Sequence, residues 1–332
     1  MKRRDIAVIG SGSWGTAISV LLEGLGHSVA LWSWQQEESG RLLRDRENKE
    51  FLPGVPLGEG ICCTADIACV KGKDLVVLVP PSKSMRRTVC AMAPYLDDGT
   101  VVAVLSKGLE EGTHKPLSDV VMEELPGARV VVMSGPSHAE EVARGIPTAN
   151  VAASDDMEAA QWVQDICMCP NFRVYTSRDM LGVQLGGALK NVIALCAGIV
   201  DGIGFGDNTK AALMTRGIKE ISRLGVKMGA NPETFYGLSG IGDLIVTCTS
   251  MHSRNRRAGI LIGQGMPLSE TLEQVHMVVE GVQTAGSAYA LAQEYHVEMP
   301  IVAQANAVLY EGKNPKQALV DLMMRDKKDE IV

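Results

Sequence analysis

The chain has 332 residues, 46% of them hydrophobic and 21% charged, an ordinary composition for a soluble protein with material for two cores. Its formal charge of −7 argues against a general affinity for nucleic acid or anionic membranes, so basic clusters have to be judged as local sites.

The chain opens with an apolar run, Ile6 to Ile9, that leads straight into Gly10-Ser11-Gly12-Ser13-Trp14-Gly15. A helical apolar pattern follows at Ala17, Ile18, Leu21, Leu22 and Leu25. Strand, G-x-G-x-x-G and helix in this order predict a dinucleotide site. Gly10 permits the tight bend, Gly12 lets a pyrophosphate approach the backbone, and Gly15 lets the helix pack on the strand. The helix N-terminus supplies free N–H groups and the positive dipole end.

Ser28 to Trp32 reads as a second strand and Gln35 to Arg46 as a polar helix. NAD-preferring sites carry an acidic residue about 20 positions past the glycines. Here Ser33-Trp34-Gln35-Gln36 follows the strand, with no carboxylate before Glu37. Arg41 and Arg44 are candidate partners for a 2′-phosphate, although they read more readily as exposed helix charges. NADP(H) is therefore expected to be tolerated and favoured, with NAD(H) the other option. Residues 51–56, with two prolines and a glycine, read as a loop.

Asp74 to Val79 is a near-continuous apolar run, as in a strand buried on both faces. Further strands are expected at Thr100 to Leu105, Arg129 to Met133, Thr148 to Ala153 and Phe172 to Tyr175. Helices are expected from Lys83, near Lys115 to Leu125, near His138 to Arg144, and from Asp156. This alternation predicts an α/β fold, with a doubly wound, Rossmann-type parallel sheet. After about Arg178 helical periodicity dominates, and a C-terminal all-α domain follows. The expected division is residues 1–185 for the NAD(P)-binding domain and 186–332 for a helical substrate-binding and catalytic domain. The charged tail, Arg325 to Glu330, reads as a frayed end.

The eight cysteines show no paired C-x-x-C spacing and read as reduced thiols, with no metal site expected. The N-terminus leaves no room for a signal peptide, and Lys190 interrupts the longest apolar run, so a cytoplasmic protein without a membrane span is expected.

Lys190 and Asn191 sit inside the otherwise apolar Leu185-Gly186-Gly187-Ala188-Leu189-Lys190-Asn191-Val192-Ile193. A buried ammonium needs a partner, and its pKa can move in ways that suit proton transfer. The plain alternative is a lysine that snorkels out of a core helix. Asp243, between Gly242 and Leu244, is a candidate partner or a helix N-cap. Lys107 directly follows a buried strand, where it could meet cofactor or an anionic substrate, or serve as a solvated loop lysine. Ser253-Arg254-Asn255-Arg256-Arg257 reads as a loop with three guanidiniums, suited to phosphate oxygens or else a solvated basic face. Nucleic acid is not the expected partner, because aromatic interleaving is missing.

Gly10-x-Gly12-Ser13-x-Gly15-Thr16-Ala17, Ser106-Lys107-Gly108, Ser134-Gly135-Pro136, Gly182 to Asn191, Gly242-Asp243-Leu244 and Ser253-Arg254-Asn255-Arg256 occur in one order along the chain. Together they resemble the bacterial NAD(P)-dependent sn-glycerol-3-phosphate dehydrogenases. The resemblance implies hydride transfer between NAD(P)H and dihydroxyacetone phosphate, giving sn-glycerol 3-phosphate for glycerophospholipid synthesis. It implies Lys190 as acid/base, with Asp243 and Lys107 beside it. It implies that Lys107, Gly135, Lys190, Asn191, Asp243, Thr247, Ser253, Arg254 and Asn255 hold the substrate. Gly10, Gly12, Ser13, Trp14, Gly15, Trp34, Lys107, Gly135, Ser137, Ala139, Arg254, Val278 and Glu280 are implied around the cofactor. Trp14 and Trp34 depart from residues commoner in that family, and Trp34 bears on the NADH/NADPH preference. The competing readings are a 3-hydroxyacid dehydrogenase of the related two-domain class and a nucleotide sensor without turnover. The assembly stays open, a homodimer being one option.

Overall fold

A computed structural model of the chain describes residues 2–327 and 329–330. Ten strands are present among these residues: β1 (Asp5–Ile9), β2 (Ser28–Trp32), β3 (Glu47–Asn48), β4 (Leu52–Pro56), β5 (Ile61–Thr64), β6 (Leu75–Leu78), β7 (Val101–Val104), β8 (Arg129–Ser134), β9 (Thr148–Ala153) and β10 (Phe172–Ser177). Eight of them form one sheet in the order β10-β9-β8-β7-β6-β1-β2-β5. Neighbours run parallel throughout except β8 and β9, which pair antiparallel. The runs Leu75–Leu78 and Val101–Val104 are buried at every position, which explains their unbroken apolar character.

The strand order reverses between β1 and β6, and open α/β sheets hold ligands at such a switch, beyond the carboxyl ends of the strands. The glycine loop after β1, Pro80-Pro81-Ser82 after β6, Lys107 after β7 and Gly135 after β8 all lie at that edge. Between strands come α1 (Ser13–Gly24), α2 (Gln36–Asp45), α3 (Met85–Met92), α4 (Leu117–Glu124), α5 (Ala139–Ala143) and α6 (Met157–Cys167).

Two local expectations change. Residues 51–56 are not a plain loop: β4 pairs antiparallel with β3 as a small separate ribbon. With a single partner strand, Pro53 and Pro56 interrupt no ladder on the far side. Asn48 and Glu47 brace the turn, accepting from the N–H of Phe51 at 3.1 Å and of Gly54 at 2.8 Å. Ile61–Thr64, which carried no strand expectation, becomes the edge strand beside β2.

The rest is helical: α7 (Met180–Ile203), α8 (Asp207–Lys227), α9 (Asp243–Thr249), α10 (Arg254–Gly263), α11 (Leu268–Val275), α12 (Glu280–Glu294), α13 (Pro300–Tyr310) and α14 (Pro315–Met323). Helix α7 links the halves. Its Met180 and Val183 join an apolar cluster on the sheet, while Leu185 to Val200 anchor the helical core. Contrary to what the sequence led one to expect, Lys190 does not keep this apolar run below membrane-spanning length. At 24 residues α7 is long and apolar enough to cross a membrane by length and composition, yet its apolar window is wholly buried inside the fold. The tail is tied down where it is described, Arg325 pairing with Glu298 and Arg216 with Glu330; Lys328 lies outside the described residues. All eight cysteines are free.

Candidate active site

The glycine loop is built for close approach. Gly10 has φ +121°, and a Cβ there would stand 2.9 Å from the Val79 carbonyl. A Cβ on Gly15 would run into the Gly10 carbonyl oxygen, whereas one on Gly12 would meet nothing within 4 Å. Gly12 caps α1 without a side-chain hydrogen bond, which leaves the helix's first N–H groups without a side-chain acceptor. These residues fit a dinucleotide pyrophosphate. Ser13 and Trp14 open α1 half-buried, and Trp14 leans on the sheet core. Trp34, just past β2, is 67% exposed.

Where that edge meets the helical half, two lysines share one carboxylate. Lys190, in the middle of α7, is 5% exposed, and Asp243, the first residue of α9, is 1% exposed. Lys190 Nζ donates to Asp243 Oδ1 and to Thr247 Oγ1, the latter at 2.7 Å. Lys107 Nζ donates to Asp243 Oδ2 at 2.6 Å and to the Gly135 carbonyl at 3.0 Å. The Thr247 hydroxyl also donates to the Asp243 carbonyl at 2.6 Å, one turn back along α9. The loop after β7 and helix α7 thus converge on one carboxylate carried by α9, with the Gly135 carbonyl holding Lys107 from the loop after β8. Gly186 and Gly187 make this possible. A Cβ on Gly186 would stand 2.5 Å from the Ser239 carbonyl, and one on Gly187 would strike the Ser134 hydroxyl.

The electrostatics follow from burial. Desolvation pushes Lys190 down from 10.5 to about 7; Asp243 opposes the shift and the nearby Lys107 ammonium adds to it. Burial alone would raise Asp243, but the attraction of Lys107 and Lys190 outweighs it and holds the carboxyl below its ordinary range. His138, beside Ser137, is pushed down by burial and then by Lys190.

A second network fixes the helical wall. Asn255 Nδ2 donates to Asn191 Oδ1 at 2.9 Å, and Asn255 Oδ1 accepts from the Gly281 N–H at 2.8 Å, so one amide ties α7, α10 and α12 together. Ser253 caps α10 by accepting from the Arg256 N–H at 3.2 Å. Ser253 to Arg257 is therefore a helix start rather than the expected loop. This places Arg254 at a positive helix end, and the Arg254 side chain makes no hydrogen bond or ion pair among the described residues. Arg256 is committed elsewhere, to Asp201 at 2.8 Å. Glu280, opening α12, accepts from the Ser82 N–H at 3.1 Å and the Ser82 hydroxyl at 2.6 Å, a contact between the two halves. Burial raises the Glu280 carboxyl. Ser137 donates to the Gly135 carbonyl at 3.0 Å, and Ala139 opens α5. No hydrogen bond links Trp34, Ala139 or Val278 to the Asp243 cluster among the described residues. Sequence reasoning missed Ser82 as a contact, since a serine after two prolines signals only a turn.

Comparison with known proteins decides the lineage. Residues 5–160 match the family model for the N-terminus of NAD-dependent glycerol-3-phosphate dehydrogenase, and residues 179–320 match the model for its C-terminus. The chain belongs to the NAD-dependent glycerol-3-phosphate dehydrogenase family. It is 55% identical to the glycerol-3-phosphate dehydrogenase [NAD(P)+] of Desulfitobacterium hafniense, covering 98% of this chain and 93% of that protein. The enzyme of the same name from Fusobacterium nucleatum is 54% identical, with 98% of each chain covered. The solved glycerol-3-phosphate dehydrogenase of Coxiella burnetii superposes with a TM-score of 0.94 at 37% identity, over 97% of this chain and 99% of that one. The fold expected from the sequence, a Rossmann-type sheet followed by a helical domain, is that of this glycerol-3-phosphate dehydrogenase.

Proposed function

We propose that this member of the glycerol-3-phosphate dehydrogenase family reduces dihydroxyacetone phosphate to sn-glycerol 3-phosphate, the backbone of glycerophospholipids, with Lys190 as the acid. The family makes it an oxidoreductase that uses NAD or NADP. The observation that carries the catalytic assignment is the buried Lys190–Asp243–Lys107 cluster at the crevice edge. The bound nicotinamide supplies or accepts the hydride.

The protein's own residues manage charge and protons. A ketone oxygen gains negative charge as it is reduced, and the Lys190 ammonium stabilises that charge and then gives up its proton. A lysine held near 7 can give the proton in one direction and take it back in the other. Asp243 stays ionised beneath it, aims the ammonium, and keeps Lys107 in place. Thr247, one turn along α9 from Asp243, accepts from the same Lys190 nitrogen and helps fix its rotamer. Arg254, with Ser253 and Asn255 at the same helix end, would hold the substrate phosphate, and its binding energy orients a small ketone. Gly10 to Gly15 would cradle the pyrophosphate, with Trp14, Trp34, Ser137, Ala139, Val278 and Glu280 around the rest of the cofactor. The division at 185/186 belongs to this reading: cofactor on the sheet half, proton transfer and phosphate on the helical half. The free thiols suit a reducing cytoplasm.

Following NADH and NADPH absorbance with dihydroxyacetone phosphate tests the reaction. Oxidation of neither cofactor by this ketone, under conditions where both bind, overturns the proposal.

A further inference from the structure

We propose that Glu38 sets the choice between the two cofactors and tilts the site toward NADH. The inference rests on the dinucleotide reading of the glycine loop. Glu38 lies in the first turn of α2 and is 8% exposed. Its Oε1 accepts from the Ser11 hydroxyl at 2.7 Å, and its Oε2 accepts from the Ser33 hydroxyl at 2.6 Å. Ser11 stands between Gly10 and Gly12, and Ser33 is the first residue beyond β2. The carboxylate therefore joins the two segments between which a Rossmann site holds the adenosine ribose.

Its position is well defined. The Ser33 N–H donates to the Thr64 carbonyl at 2.9 Å, and Asn48 Nδ2 donates to the Ser11 carbonyl at 2.7 Å, so both partners are anchored independently. Each carboxylate oxygen keeps acceptor capacity beyond the serine it holds. A ribose 2′-hydroxyl can use that capacity, whereas a 2′-phosphate would bring like charge against it.

The nearby cations do not offset this charge. Arg41 is engaged by Glu37 and Glu50, each at 3.3 Å, and Arg46 donates to the Gly58 and Ile61 carbonyls. Arg44 is exposed in the last turn of α2, and residues 33–36 contain no cation. The acidic residue that seemed missing from the end of β2 is supplied from the first turn of α2, held by Ser11 of the glycine loop and by Ser33. On this proposal the site tilts the other way from the NADPH preference expected from the sequence.

The test is the dissociation constant of NADH and of NADPH, read by fluorescence titration without ketone. The wild type should hold NADH about tenfold or more tighter than NADPH, as expected for like charges brought together. Glu38→Gln keeps an acceptor for a serine and removes the charge. It should shrink the ratio by about tenfold, a change of about 1.4 kcal/mol. A carboxylate that merely braces the loop would weaken both cofactors by one factor, so an unmoved ratio overturns the proposal. Binding of neither cofactor to the wild type would remove the cofactor reading and this inference with it. If the variant does not fold, calorimetry of the wild type with 5′-AMP and with adenosine 2′,5′-bisphosphate decides, and tighter binding of the bisphosphate overturns the role of Glu38.

Discussion

Lys190 gives its proton-bearing nitrogen to one oxygen of Asp243 while the other oxygen of that carboxylate is already held by Lys107. The carboxylate is thus the group that opposes the loss of charge on this deeply buried ammonium. Asp243→Asn should lower the Lys190 pKa further, since the attraction is lost while burial and Lys107 both continue to depress it. In the proposed mechanism ketone reduction needs the ammonium, which exists below that pKa. The alkaline limb of the rate profile for reduction should therefore move to lower pH, and kcat should fall by about 10² or more. An alkaline limb left where the wild type has it would refute the pairing.

Lys190→Ala should abolish most turnover, by about 10² to 10⁴, while NADH still binds. The residual Asp243 charge keeps Lys107 as its partner, so the fold should survive. Fluorescence titration against steady-state kinetics separates the two effects. Weak cofactor binding with unimpaired turnover would be the wrong way round for an acid.

Arg254→Ala should raise the KM for dihydroxyacetone phosphate far more than it lowers kcat. The guanidinium sits at the N-terminus of α10 with no protein anion in hydrogen-bond range among the described residues, which leaves its donors for a ligand. A fully made charge-assisted contact is worth about 1.5–3 kcal/mol, or a KM increase of roughly 10- to 100-fold. Adding inorganic phosphate should inhibit the wild type and barely affect the variant; equal inhibition of both would argue for another phosphate site.

Much of this could be read from the residues because the signals were local. Gly10 to Gly15 lie between an apolar strand and an apolar helix, and Lys190 stands among apolar neighbours on either side. Neither depends on knowing what lies across the fold. Glu38 was out of reach, since nothing adjacent to it in sequence marks it as buried, and its partners come from two other segments. The start of α10 was misread because arginines and an asparagine suggest a loop, whereas the Ser253 cap and burial against α7 make a helix there.

The same limit hid the glycines that set helix α10 against α7. A Cβ on Gly259 would collide with the Leu195 carbonyl, and one on Gly198 with the Arg256 carbonyl, so the two backbones touch. Gly259→Ala should cost about 1–3 kcal/mol of stability by overpacking. Because Arg254 and Asn255 ride on the same helix, the KM for the ketone should rise with little change in NADH affinity. A stable variant with wild-type KM would show that this seam does not position the phosphate residues.

Glu220 offers a stability prediction remote from the crevice. It is 3% exposed, and its carboxylate accepts from the N–H of Ile301 at 2.9 Å and of Val302 at 3.3 Å, at the start of α13. Burial raises its pKa from 4.5 to about 7, against the pull of those N–H groups and of Arg223 and Arg325. Below about 4.5 the side chain is protonated both folded and unfolded, and no penalty arises. Between about 4.5 and 7 the unfolded chain loses its proton while the folded one keeps it, so stability falls as pH rises and levels off above 7. The full displacement corresponds to about 3 kcal/mol. Glu220→Gln keeps an acceptor for α13 and has no charge to bury. Urea unfolding at pH 5 and pH 8 should therefore show the wild type losing up to about 3 kcal/mol more than the variant across that window. Equal losses in the two proteins would mean that Glu220 is already ionised in the fold, with the α13 N-terminus stabilising its charge.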